Sequence, residues 1–396
     1  MKETKFKDTE IGKIPEEWEV RTINSFCSVK TGPFGSMLHA EDYVAKGTPI
    51  VTTEHFKNGI LPLVGKDIPQ IGIEDLKRMS SYTLTKDDIV FSRVGSVDIN
   101  ALVTVRQKGW LFSGRVLRVR PFKQTDSLYL HYGLLKHSVR SDIVSRAVGL
   151  TMASINTKIL GETELSLPPL NEQRRIASAL TSIDNLISSL GKLIEKKKNI
   201  KQGAMQQLLT GQIRLKGFSE PWGEKKLEEV CSVKRGVRVV KRNLTTDGLY
   251  PVYQNTNFPL GYSNQYNVEA NTPFVIIGGS AGQVGICRER YWAADDCAFF
   301  ACHDIYKEYL YYVLLLNQSN ILHNVRTGTI PRLDRSFLSN MVVYISSNID
   351  EQQAIATILT KMDNEITALE AKRAKYEAIK QGMMQQLLTG KIRLIS

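Results

Sequence analysis

The chain has 396 residues, 42% hydrophobic and 23% charged, a balance that suits a folded protein of two or more domains and excludes a disordered or fibrous one. No stretch approaches the roughly 20 apolar residues of a membrane span, the polar start Met1-Lys-Glu-Thr-Lys-Phe-Lys7 is no signal peptide, and five scattered cysteines give no disulfide framework, so the expectation is a cytoplasmic protein without membrane contact. The net charge of +12 is spread over every part of the chain rather than gathered in a tail, which points to a folded surface touching a polyanion in several places.

Taken in order, residues 1–168 form a first globular segment. Strand-like runs stand at Asp88–Ser92 and Val116–Arg120 and a helix-like run at Leu128–Ser138. Its basic candidates are Lys30, at the head of the turn-rich loop Lys30–Ser36, Arg93 and Arg115 beside the strand-like runs, and Arg146 in the loop Ser145–Ile155. From 169 to 211 the pattern changes. Ile176, Leu180, Ile183, Ile187, Leu190 and Ile194 alternate steps of four and three, the a/d seam of a coiled coil. Asn171 is placed to cap that helix and Gly211 to stop it.

Residues 212–348 form a second globular segment, with strand-like runs at Thr272–Ile277 and Asn340–Ile345 and a helix-like run at Ile305–Asn317. Five cations crowd nine positions: Lys234, Arg235, Arg238, Lys241 and Arg242. Arginines there suit phosphates or guanine edges, and Asn255, in the run Tyr253–Asn257, suits adenine. Arg326 and Arg332 lie in another basic, turn-rich loop. The last segment, 349–396, is a second helix, with Ile355, Leu359, Met362, Ile366 and Leu369 on its seam and Asp350 as the expected cap.

The two helices are one sequence written twice. Residues 171–215 and 350–394 align at an offset of 179 without a gap, and 25 of the 45 positions are identical. The globular segments are related too. Trp18–Gly32 matches Trp222–Gly236, and Gly149 matches Gly328, while the stretches between diverge. Neither seam can be buried alone, so the two helices pair, and pseudo-two-fold symmetry favours an antiparallel pair. The fold class is therefore α+β: two pseudo-two-fold-related globular domains separated by two long helices in an antiparallel coiled coil. Gly203 and Gly382 sit inside both helices at a cost of about 1 kcal/mol each, which calls for close approach by the other helix or by a partner.

Catalytic signatures are missing. The chain has no phosphate loop, no His-Glu-x-x-His and no nucleophile elbow. Gly278–Gly285 reads as a turn between strands, and Asp295-Asp296, read as strand neighbours, point to opposite faces. Cys297, Cys302 and His303 lack the paired spacing of a zinc site. No metal, catalytic residue or cofactor is expected. The competing readings are a coiled-coil scaffold for two copies of one protein with incidental DNA contact, and a methyltransferase, which lacks an Asn-Pro-Pro-Tyr/Phe motif here.

The order of domain, helix, domain, helix, with Glu172-Gln173…Ile176-Ala177 and Gln206–Gly211 repeated as Glu351-Gln352…Ile355-Ala356 and Gln385–Gly390, resembles the specificity subunit of type I restriction–modification enzymes. Ile14-Pro15…Trp18 and Pro221-Trp222 fit the same pattern. The resemblance covers essentially the whole chain. It implies two target recognition domains, each reading half of a split site in double-stranded DNA, and helices that space the halves. It implies docking of two methyltransferase subunits that carry S-adenosylmethionine, and two restriction–translocase subunits that complete the enzyme. The paired glutamines Gln173, Gln206, Gln207, Gln352, Gln385 and Gln386 are then the expected partner contacts. Replacing residues 33–148 by the same stretch of a relative with another target is expected to change one half of the methylated motif and leave subunit assembly intact, as checked by methylome mapping and co-purification.

Overall fold

The computed structural model describes residues 4–33, 37–65, 67–149, 151–240, 242 and 244–395. The chain forms two compact units, residues 1–189 with 373–396, and residues 190–372. The boundaries fall inside the long helices rather than at their ends, so each unit holds a globular domain and one half of the helix pair.

In the first unit, β1 (Cys27–Thr31), β3 (Ile89–Ser92), β4 (Asn100–Leu102) and β6 (Val116–Pro121) make an antiparallel sheet in the order β1-β6-β3-β4. A second small sheet is led by β5 (Leu111–Phe112), which runs parallel to β2 (Thr48–Val51). Helix α1 (Ser127–Leu134) lies beside the first sheet, and α2 (Leu170–Leu208) begins in this unit. The helix-like run expected to reach Ser138 stops at Leu134, and a separate helix covers His137–Ser145. Ile89, Phe91, Leu117 and Val119, from alternate positions of β3 and β6, face the helices, with Trp18 and Leu130 in the same core.

The second unit repeats the plan. Strands β7 (Cys231–Arg235), β9 (Pro273–Ile276), β10 (Val284–Ile286) and β12 (Cys297–Cys302) pair in the order β7-β12-β9-β10. Again a short strand, β11 (Trp292–Ala293), runs parallel to a neighbour, β8 (Tyr250–Tyr253). Helix α3 (Lys307–Leu316) matches α1, and α4 (Ile349–Leu387) matches α2. Gly278–Gly282 turns between β9 and β10, with Gly279 and Gly282 at positive φ, as its reading as a turn requires.

Each unit is locked by the same set of contacts. In the first, Glu172 is 3% exposed and receives Trp18 Nε1 at 3.0 Å and Arg393 at 2.7 and 2.9 Å. In the second, Glu351 is 0% exposed and receives Trp222 Nε1 at 3.0 Å and Arg214 at 2.7 and 3.0 Å. Gln173 accepts from Asp126 N and donates to Pro168 O; Gln352 accepts from Tyr306 N and donates to Ser346 O. Tyr132 donates to Asp184, which pairs with Lys380, and Tyr312 donates to Asp363, which pairs with Lys201.

These pairs fix the direction of the helices within each unit. As the number climbs from Glu172 to Asp184, its partner's falls from Arg393 to Lys380. In the second unit it climbs from Lys201 to Arg214 while the partner's falls from Asp363 to Glu351. The packing is antiparallel, with Ile176, Leu180, Leu190, Ile194, Ile355, Leu359 and Ile366 buried on the seams. The expected N-caps shift. Asn348, not Asp350, caps α4 by accepting from Glu351 N at 3.1 Å, and α2 begins one residue before Asn171, right after Pro168-Pro169. Gly211 and Gly390 end both helices at φ +71° and +69°.

The five cysteines are free thiols, four of them buried, and burial pushes Cys27 and Cys302 up to about 12. No cluster of three metal-ligating side chains occurs among the described residues. Arg393 is only 7% exposed beside Glu172 and keeps a second partner in Glu17 at 2.7 Å, so Glu172→Ala leaves a buried guanidinium half-paired and is expected to cost about 2–4 kcal/mol. Glu351→Ala should cost less, since Arg214 is 30% exposed. Urea unfolding of the two variants checks this; equal losses below about 1 kcal/mol would contradict it.

Candidate nucleic-acid interface

In each unit some of the basic candidates lie at one end of the sheets, where a turn leaves the short parallel strand. In the first unit the turn is Ser113–Arg115. Ser113 N donates to Val51 O at 2.8 Å, Arg93 N to Arg115 O at 3.0 Å, and Gly32 N to Val116 O at 3.2 Å. In the second the turn is Ala294–Asp296. Ala294 N donates to Tyr253 O at 2.8 Å, Ile277 N to Asp296 O at 2.8 Å, and Gly236 N to Cys297 O at 2.9 Å. The bonds match one for one, so Gly114 and Arg115 correspond to Asp295 and Asp296.

The end of the first strand must be glycine in both. A Cβ on Gly32 would lie 2.1 Å from Ser113 O, and one on Gly236 would lie 2.2 Å from Ala294 O. A bridged loop closes the other side. Val148 and Ser154 exchange two backbone bonds in the first unit, and Arg326 and Arg332 do so in the second. The first cleft encloses about 790 Å³ and is lined by Thr53, Glu54, His55, Arg93, Ser113, Arg115 and Ser154. His55 accepts from Thr52 N at 3.0 Å, and burial lowers its pKa against the opposing pull of Glu54.

The candidates separate into those that face these clefts and those used internally. Arg115 is exposed at the first cleft, and Arg93 reaches the same turn, donating to Gly114 O at 2.8 Å and to Ile155 O at 3.3 Å. Arg332 is exposed and pairs with Asp296 at 3.3 Å. Arg235 donates to Asp295 O at 2.7 Å. Asn255 O accepts from Ser280 N, which ties its loop to the Gly278–Gly282 turn, and the Asn255 side chain is exposed. Lys234, Arg238, Arg242 and Arg326 are exposed around that cleft's loops. Lys241 lies outside the described residues.

Four of the expected contacts are instead bound inside the chain. Arg146 does not face the cleft: it pairs with Asp142 and donates to Ile159 O and Thr163 Oγ1, which ties down its own loop. Lys30 is bound to Ser81 through O and Oγ and lies 4.1 Å from the Tyr82 ring centroid; burial, then Arg118 and Arg120, lowers its pKa. Gln173 and Gln352 are 3% and 1% exposed with their amides used inside the chain, so neither side chain can meet a partner. By contrast Gln206, Gln207 and Gln385 are exposed and Gln386 half-buried. A Cβ on Gly203 or Gly382 would meet nothing within 4 Å, so close approach of the other helix does not explain these glycines.

Asp295, Asp296, Ser113 and His55 were not among the candidates. Asp295 and Asp296 stand in a turn, not in a strand, so the alternation argument that set them aside does not hold. Their one legible signal was an acidic pair inside an otherwise basic surface.

Both units thus set the same glycine-anchored turn and bridged loop on a repeated helical frame. The model of the type I restriction modification DNA specificity domain matches residues 15–202 and 219–381, and the chain belongs to that family. It is 28% identical over 99% of its length to the type I restriction enzyme MjaVIII specificity subunit of Methanocaldococcus jannaschii, covering 97% of that protein. It is 26% identical to the putative MjaX specificity subunit of the same organism, over 99% and 98% of the two chains. Among solved structures, the type I system S subunit from M. genitalium has the same fold, with a TM-score of 0.69, 18% identity and coverage of 93% and 96%.

Because a Cβ at Gly236 would collide with backbone, Gly236→Ala must displace the Ala294–Asp296 turn. The expected outcome is at least a tenfold loss of DNA affinity through the second cleft with the α2–α4 clamp intact, measured by fluorescence anisotropy and urea unfolding; unchanged affinity would contradict the placement of the cleft.

Proposed function

We propose that the chain reads a two-part site in double-stranded DNA, one half per cleft, and holds two methyltransferase subunits that modify it. One observation carries the reading: the frame is built twice with the same residues, while the clefts set on it are lined by different ones. Identical frames present one surface twice, and unlike clefts read unlike sequences.

The DNA side follows from charge and shape. Arg115 in one cleft and Arg235, Arg326 and Arg332 in the other supply the forked donors that match phosphate or guanine, and the exposed cations of residues 234–242 add the phosphate contacts that fix register. The helices act as the spacer. Thirty-nine residues rise about 58 Å, against about 34–36 Å for one turn of duplex, so the length of the pair sets the gap between the half-sites.

The partner side rests on apolar residues the core does not use. Ile200 and Ile379, at the same place in the two copies, are 47% and 39% exposed, and Ile213 and Ile392 are 49% and 52% exposed. With Gln206, Gln207, Gln385, Gln386 and the open backbone at Gly203 and Gly382, they form twin surfaces of one composition. Each takes one methyltransferase subunit, which carries S-adenosylmethionine and supplies the chemistry, and two restriction–translocase subunits join that complex in the cytoplasm.

Native mass spectrometry checks the stoichiometry. The wild-type chain should hold two methyltransferase subunits, Ile200→Asp one, and the Ile200→Asp/Ile379→Asp pair none, with urea stability unchanged because both residues are exposed. Two subunits retained by the double variant would contradict the docking surface.

A further inference from the structure

A surface built only to hold phosphates gains nothing from carboxylates, which repel them. Yet the turn at the floor of the second cleft is Asp295-Asp296, where the first has Gly114-Arg115. Asp296 is committed inside the chain. It pairs with Arg332 at 3.3 Å, and its Oδ1 fills the space that a Cβ on Gly278 would enter, 2.4 Å away. Asp295 is half-buried and makes no such pair. Its Oδ1 is shut off from solvent without a hydrogen-bond partner among the described residues, so it meets a donor only when binding moves the turn, and the nearby Arg235 Nε is bonded to the backbone oxygen instead. A shielded acceptor without a donor is costly and rare. In the first unit the same turn carries Ser113, whose Oγ is also shielded and unpartnered. The two clefts thus share an unsatisfied polar atom at one turn, beside side chains of opposite charge.

We propose that this turn is the base-reading element of both clefts, with Asp295 accepting from the amino group of a cytosine in one half-site and Arg115 donating to a guanine in the other. The assignment rests on the half-site reading above. The chemistry follows from base edges in the major groove. Cytosine presents an N4 donor, which suits a carboxylate, and guanine presents the O6 and N7 acceptors, which suit a guanidinium. Neighbouring cations offset the field of Asp295 at the phosphates: Arg235 is held on the same turn, and Arg332 is held by Asp296. Arg115 has no acidic counterpart in its own turn, where Gly114 stands in place of Asp295.

The test is the methylome of cells carrying the full chain and its methyltransferase, compared with those carrying Asp295→Ala, Asp295→Asn or Arg115→Ala. Asp295→Ala should relax one C·G pair in one half of the motif, with a roughly five- to hundred-fold loss of preference, and leave the other half unchanged. Asp295→Asn keeps the size of the side chain and should move preference at that same position toward adenine, which keeps the assignment testable if the alanine variant folds poorly. Arg115→Ala should relax one G·C pair in the opposite half. An unchanged motif in all three, or uniform weakening of both halves, overturns the assignment while leaving the half-site reading in place. A wild-type chain that yields no two-part motif overturns both.

Discussion

The structure depends on a buried carboxylate at the start of each long helix. Glu172 and Glu351 each gather an indole N–H and a guanidinium from chain segments far apart in sequence. Taking such charges out of water costs several kcal/mol per ion, and their attraction returns little more than that. What the pair supplies is geometry. A bidentate arginine fits a carboxylate in one orientation, so the domain's first tryptophan, the helix start and the segment after the opposite helix stop meet in a single arrangement. A heptad seam alone would tolerate a slip by seven residues; Glu172–Arg393 with Asp184–Lys380, and Glu351–Arg214 with Asp363–Lys201, would not.

That constraint explains where the sequence repeats and where it does not. Gln173 and Gln352 hold the backbone at the start of α1 and just before α3 from the side of the helix, and Tyr132 and Tyr312 bind the helices from within each domain. Every one of these residues recurs at an offset of 179 or 180. Beyond the reach of this frame, residues 33–148 and their counterparts share backbone bonds and few side chains. A fixed frame carrying a variable turn can change what it reads without refolding.

Much of this was legible in the chain. The seam of α2 and α4 and the glycine stops at Gly211 and Gly390 follow from spacing, the pairing from the impossibility of burying one seam alone, and its antiparallel direction from the pseudo-two-fold symmetry of the repeat. The matched ends Trp18–Gly32 and Trp222–Gly236 located the strands that lead into the clefts. What was not legible is which of two identical residues faces in. Gln173 and Gln206 look alike in sequence, and a helix of this pitch puts one in the core and the other in water according to a phase that only tertiary packing sets. Arg146 and Lys30 failed for a related reason: a cation in a loop can bind phosphate or its own loop, and the nearby acceptors Asp142 and Ser81 decide. Asp295 was hidden because its strand ends two residues earlier than its composition suggests.

The central claim is that two unlike clefts on twin frames read two separated DNA words. Hydroxyl-radical footprinting of the assembled complex on its methylated site tests this most directly. The account predicts two protected patches, separated by an accessible gap, with Arg115→Ala weakening one patch and Arg332→Ala the other. A single continuous footprint, or loss of both patches from either substitution, would contradict it.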